Sequence, residues 1–150
     1  MPQSLSNGLV HLIFSTKERY PFIQTPIAVE LHPYLATVCQ TSGCPALQVG
    51  GTDDHVHILF ALSRTMTIAG LVQEVKTESS KWIKTKGQDY RQFAWQNGYG
   101  AFSISQSHAE TVRAYIVNQV EHHAARSFQD EFRLFCRRYN VAYDERYVWD

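Results

Sequence analysis

The order of hydrophobic periodicities along the chain predicts an α+β fold: a ferredoxin-like split βαβ with a central antiparallel sheet and extra C-terminal helices. Three observations carry this. Six segments read strand, helix, strand, strand, helix, strand; strands two and three are joined by a turn too short for a crossover; and two further amphipathic segments follow the fourth strand. The 150 residues suffice for one core and suggest one domain spanning 1–150.

Residues 9 to 16, LVHLIFST, are β-branched and aromatic enough for a strand, and KERYPF after them has the charge and proline of an exit loop. From Thr25, TPIAVELHPYLATVCQ offers a threonine cap, Pro26 at the first helical position, and Ile27, Leu31, Leu35 and Val38 at helical spacing, with Pro33 expected to kink the helix early. PALQVGG, then Thr52-Asp53-Asp54, then HVHILFAL reads as an antiparallel hairpin. Thr67 caps a helix carrying Ile68, Leu71, Val72, Val75, Trp82 and Ile83, and residues 101 to 105, AFSIS, form the fourth strand. Ser107 and Glu110 stand in capping-box spacing before a stripe of Ala109, Val112, Ile116, Val120 and Ala124. A last helix from about Phe128 to Tyr139 buries Phe128, Phe132, Phe135 and Tyr139.

Composition narrows the function classes. Hydrophobic residues make up 44% and charged residues 19%, as in folded globular proteins. No apolar run approaches a membrane span and the N-terminal MPQSLSNGLVHLIF lacks secretory features, so no membrane association and a cytoplasmic location are expected. Cys39, Cys44 and Cys136 form no CxxC pair and suggest reduced thiols, not a disulfide framework or structural zinc. A formal net charge of zero argues against a nucleic-acid partner, but distribution matters more. Between Lys76 and Arg91, Lys76, Lys81, Lys84, Lys86 and Arg91 face only Glu78 and Asp89, which fits either a solvated helix end or a phosphate-binding patch.

His55 and His57 lie one residue apart on strand three and so share a face, while Val56, Ile58 and Phe60 share the other. Two imidazoles on a rigid strand can begin a divalent metal site, but do not complete one; buried or surface histidines are the plainer alternative. Tyr115 and Gln119 are one helical turn apart, about 6 Å along the axis, and flank the apolar stripe together with His122. A tyrosine beside a metal has one demanding use, attack of its oxygen on phosphorus with the phosphodiester energy conserved for resealing. A half-buried aromatic is again the plainer alternative.

Taken together, HVHILF after Asp-Asp, an early strand with His11 and then STKER, SSKWIK, FAWQNGYGAFSIS, YIVNQVEHH and the closing YDERYVWD resemble the small single-tyrosine HUH transposases of bacterial insertion sequences, including the REP-associated tyrosine transposases. The resemblance covers nearly the whole chain. It implies that His55 and His57 are the HUH histidines around Val56, that Gln119 completes a site for Mg²⁺ or Mn²⁺, and that Tyr115 is the nucleophile. It further implies a homodimer that recognises hairpins in single-stranded DNA, forms a 5′-phosphotyrosine and leaves a 3′-hydroxyl. On that reading the lysines meet phosphates, and Trp95, Phe93 or Tyr99 stack on unpaired bases, with a place in the core the equal alternative for Trp95 and Phe93. Because Tyr115 and Gln119 face away from their helix's apolar stripe, the surface they meet can come from a second subunit, and the sequence leaves open whether the tyrosine serves its own subunit or the partner's. The competing readings are a catalytically inactive nucleic-acid-binding module on the same scaffold and a metal-dependent hydrolase using water.

Overall fold

The computed structural model describes residues 2–119 and 126–150. Within them, four strands, β1 (Leu9–Ser15), β2 (Ala46–Gly51), β3 (His55–Ala61) and β4 (Gly100–Ile104), form one antiparallel sheet in the order β2-β3-β1-β4. This is the expected split βαβ arrangement: α1 (Thr25–Thr41) links β1 to β2, and α2 (Ile68–Ile83) links β3 to β4. Among the described residues two further helices follow, α3 (Ala109–Val117) and α4 (Phe128–Arg138).

Strand alternation sorts the sheet into two faces. Val10, Leu12 and Phe14 of β1 and Val56, Ile58 and Phe60 of β3 pack with Ile27, Leu31, Leu35 and Val38 of α1 and Leu71, Val72, Val75 and Ile83 of α2. The opposite face is buried too. There Ile13 and Phe102 meet Phe128, Phe132 and Phe135 of α4, while Leu9, Leu59 and Ile104 meet Ala109 and Ile116 of α3. The sheet is therefore covered on both sides, which is why every residue of β1 is buried.

Two glycines seat the covering helices. A Cβ on Gly50 would stand 2.7 Å from the Ile116 carbonyl oxygen, and one on Gly100 would stand 2.8 Å from the Phe132 ring. Gly50 is paired with His57 across β2 and β3, so the close approach of α3 falls beside the histidine.

Some local expectations change. The helix α1 runs through Pro33 without ending there. Thr67 does cap α2, accepting from the Gly70 amide at 2.9 Å. Ser107 forms no capping box, because residues Gln106–His108 make a 3₁₀ turn before α3 and Ser105 Oγ meets His108 Nδ1 at 2.7 Å instead. The stripe positions Val120 and Ala124, and His122, lie outside the described residues. Cys39, Cys44 and Cys136 are free and buried, and no helix among the described residues is long and apolar enough to cross a membrane.

Candidate active site

The β2–β3 turn fixes the first side chain. Thr16 donates its amide to the Asp54 carbonyl at 2.8 Å and Ile23 donates to that of Asp53 at 2.9 Å, tying the turn to the chain after β1. Asp54 then accepts from His55 Nδ1 at 2.6 Å, and Thr52 Oγ1 lies 2.9 Å from the same nitrogen. With Nδ1 held, His55 Nε2 is turned to the interior, the orientation a carboxylate imposes on a metal-binding imidazole. His57 is oriented from β1: its Nδ1 lies 2.7 Å from His11 Nε2.

Both Nε2 atoms aim at a residue that sequence reading missed. Glu131, on α4, places Oε1 2.9 Å from His57 Nε2 and 3.5 Å from His55 Nε2. Its other oxygen, Oε2, accepts a short hydrogen bond from the Tyr115 hydroxyl. Gln119 closes the arrangement with Oε1 3.2 Å from His55 Nε2, while its amide nitrogen donates to the Tyr115 carbonyl at 3.2 Å. His55, His57 and Glu131 are each 0% exposed and Gln119 is 1% exposed; Tyr115 is the member that keeps a solvent-facing part.

The charges are tuned by this packing. Burial pushes the His55 imidazolium down, yet the hydrogen bonds and charges of Asp54 and Glu131 prevail and raise it to about 9. Burial and the neighbouring His57 hold His11 well below the usual histidine value, although Glu131 pulls the other way. Burial first, and then Glu131, lift the Tyr115 phenol well above its ordinary value, so it remains a proton donor to that carboxylate.

The donor set fits a divalent cation. One ligand atom from each of His55, His57 and Glu131 lies within 4.8 Å of the other two. Ligands at about 2.1 Å from an ion and at right angles stand about 3 Å apart, and the separations of 2.9 and 3.5 Å between Glu131 Oε1 and the two imidazoles match that edge.

Of the residues expected at a site, His55, His57, Tyr115 and Gln119 come together. Within this chain, β3 and α4 supply a surface that Tyr115 and Gln119 meet. The expected DNA contacts do not join them. Trp95 is corrected to a core residue: it is 7% exposed, packs edge-on against Phe14 and Phe93, and donates its indole N–H to Ser79. Phe93 is buried beside it. Lys76 is corrected likewise, since its ammonium is drawn inward to the carbonyls of Gln96 and Gly98, both at 2.7 Å. Lys81, Lys84, Lys86 and Arg91 are exposed, but α2 and the turns after it belong to the layer on the far side of the sheet from the histidines, and Lys86 lies 3.6 Å from Glu30.

The signal for Glu131 was present and unread. It stands three residues after Phe128 and four before Phe135, inside the stripe that α4 buries, where an unaccompanied carboxylate is costly.

Comparison with known proteins agrees with this fold. Residues 4–119 match the family described as transposase, IS200-like. No curated protein sequence matches the chain. A candidate transposase from Deinococcus radiodurans R1, solved at 1.90 Å resolution, superposes with a TM-score of 0.62 at 21% identity, covering 79% of this chain and 98% of that one. A REP-associated tyrosine transposase bound to a REP hairpin superposes with a TM-score of 0.58 at 14% identity, covering 81% of this chain and 72% of that one.

Proposed function

Since this chain belongs to the IS200-like transposases, we propose that it cuts and rejoins single-stranded DNA beside hairpins at the ends of an insertion element, through a 5′-phosphotyrosine on Tyr115. The observation that carries the reading is the convergence of one tyrosine hydroxyl, two imidazoles, a carboxylate and a carboxamide from β3, α4 and the chain from α3 to Gln119. A binding module has no use for such a set. The hairpin ligand is supported by the REP-associated relative, which was solved with one.

His55, His57 and Gln119 would hold Mg²⁺ or Mn²⁺, with Glu131 facing the same point. When bound, such an ion polarises a non-bridging phosphate oxygen and offsets the negative charge of the transition state. The chain's own residues do the rest. The Tyr115 oxygen bonds to phosphorus as the P–O3′ bond breaks, so the phosphoryl group stays on the 5′ end of one strand and the other leaves with a 3′-hydroxyl. The phenolic proton has an acceptor in place at Glu131 Oε2, and the departing O3′ takes up a proton. Rejoining reverses these steps, with a 3′-hydroxyl as nucleophile. One phosphodiester is exchanged for another, so no external energy source is needed. In a homodimer, each subunit would carry a complete site.

The test is a labelled single-stranded oligonucleotide with a hairpin beside the cut, incubated with Mg²⁺ or Mn²⁺ and run under denaturing conditions. Wild-type protein should form a covalent adduct that is lost in chelator, with Tyr115→Phe, and with a perfect duplex. An adduct persisting in Tyr115→Phe moves the nucleophile elsewhere, and one indifferent to chelator removes the metal. Hairpin binding without any adduct under any condition would favour the inactive binding module.

A further inference from the structure

We propose that Glu131 is a bridging residue: one carboxylate oxygen completes the cation site with His55 and His57, and the other holds the Tyr115 hydroxyl, so cation binding and nucleophile placement are coupled. The inference rests on the metal-dependent reading above and adds to it a residue and a linkage.

Three observations support the bridge. Glu131 is wholly buried, on the face of α4 that otherwise presents Phe128, Phe132 and Phe135. A carboxylate taken out of water is costly unless partners compensate it, so packing alone does not account for its presence. The partners that meet it are the His57 and His55 imidazoles at Oε1 and the Tyr115 hydroxyl at Oε2, two of them on the HxH strand and one on the nucleophile. Finally, α4 is anchored: Ser127 caps it, accepting from the Asp130 amide at 3.1 Å, and Phe132 sits against Gly100 of β4. The carboxylate is thus delivered by a rigid element, as a precise site requires.

The chemistry favours the same assignment. Two imidazoles and the Gln119 carboxamide are neutral ligands, whereas Mg²⁺ and Mn²⁺ prefer carboxylate oxygen. Among the described residues, Glu131 is the anionic donor of the groups that converge here. A ligating carboxylate is oriented by what hydrogen-bonds to its second oxygen, and here that donor is the nucleophile itself. Coupling between two events is reciprocal: removing the Tyr115 hydroxyl must alter cation affinity, and removing the Glu131 charge must alter both cation affinity and the tyrosine's reactivity.

The experiment measures Mn²⁺ binding to the full chain by titration calorimetry, for wild type, Glu131→Gln, Tyr115→Phe and His57→Ala, with circular dichroism to verify folding. Adduct formation is then timed for wild type and Glu131→Gln at saturating Mn²⁺. The bridge predicts that Glu131→Gln and Tyr115→Phe each weaken Mn²⁺ by about tenfold or more, the usual effect of altering a ligand or the group that orients it. It also predicts that Glu131→Gln forms adduct at least about tenfold more slowly when Mn²⁺ is saturating, which a pure loss of affinity would not cause. Tyr115→Phe keeps every ligand and serves as the second variant should Glu131→Gln fail to fold. Wild-type Mn²⁺ affinity in Glu131→Gln alongside its loss in His57→Ala would overturn the bridge while leaving the metal reading intact. Unchanged affinity in Tyr115→Phe would overturn the coupling. Absence of Mn²⁺ binding in wild type and His57→Ala alike would remove the metal reading, and the bridge with it.

Discussion

On one face of the sheet, alternate residues of β1 and β3 contribute Val10, Leu12, Phe14, Val56, Ile58 and Phe60 to a core shared with α1 and α2. On the other, the intervening residues of the same strands contribute His11, His55 and His57, which are buried as completely under α3 and α4. The first face is held by apolar area removed from water, a contribution that tolerates small shifts and does not depend on pH. The second is packed by apolar residues as well, Ile13, Phe102 and Phe128 among them, but adds hydrogen bonds among titratable groups in a dry setting, where each is favourable only while its partner is in place. One sheet thus keeps its titratable groups on a single side, with a purely apolar core on the other.

Breaking the apolar face should have the largest effect on stability and little on chemistry. Leu35 is fully buried between α1 and the sheet, so Leu35→Ala should cost about 2–5 kcal/mol in urea denaturation. Adduct formation measured well below the melting temperature should stay within about twofold of wild type, because the lost atoms lie across the sheet and distant sites act nearly independently. A large loss of adduct by protein that is still folded would mean that the two faces are not separate.

The polar face should reveal itself through pH. In metal-free protein the His55 pKa is raised to about 9 by its carboxylate partners, above the ordinary histidine value near 6.5. A group whose folded pKa is the higher stabilises fully below its unfolded pKa, and that stability is lost as pH rises through the folded one. Urea midpoints in chelator should therefore fall between about pH 6.5 and 9, by an amount on the order of a few kcal/mol. Leu35→Ala should lower the whole profile without changing its slope, whereas Asp54→Asn should flatten it. A profile already flat in wild type would count against a charged His55.

The smallest effect sharpens the boundary between binding and cutting. Lys81 and Lys84 are exposed on the layer away from the histidines. Replacing both by Ala should change stability by less than about 0.5 kcal/mol. If they touch the hairpin's phosphates, the salt dependence of hairpin affinity should decrease by about one to two units of log–log slope, with the adduct rate at saturating DNA unchanged. A reduced rate under those conditions would bring α2 into the cutting step.

Sequence alone determined what depends on the period of a single element. Alternation in HVHILF put both imidazoles on one face and the apolar residues on the other, four-residue spacing put Tyr115 and Gln119 together, and the order of elements specified the sheet. Such patterns state which side of a strand or helix is buried. They do not state what another element places against it. That Trp95 and Lys76 turn inward, that Ser105 meets His108 where a capping box of Ser107 and Glu110 was expected, and that a carboxylate 74 residues beyond His57 arrives 2.9 Å from its Nε2 were decided by the tertiary structure. Glu131 is the sharpest case. Its position in the stripe of α4 marked it as buried, but only the seating of α4 on Gly100, with α3 on Gly50, gave that charge two imidazoles and a phenol to meet.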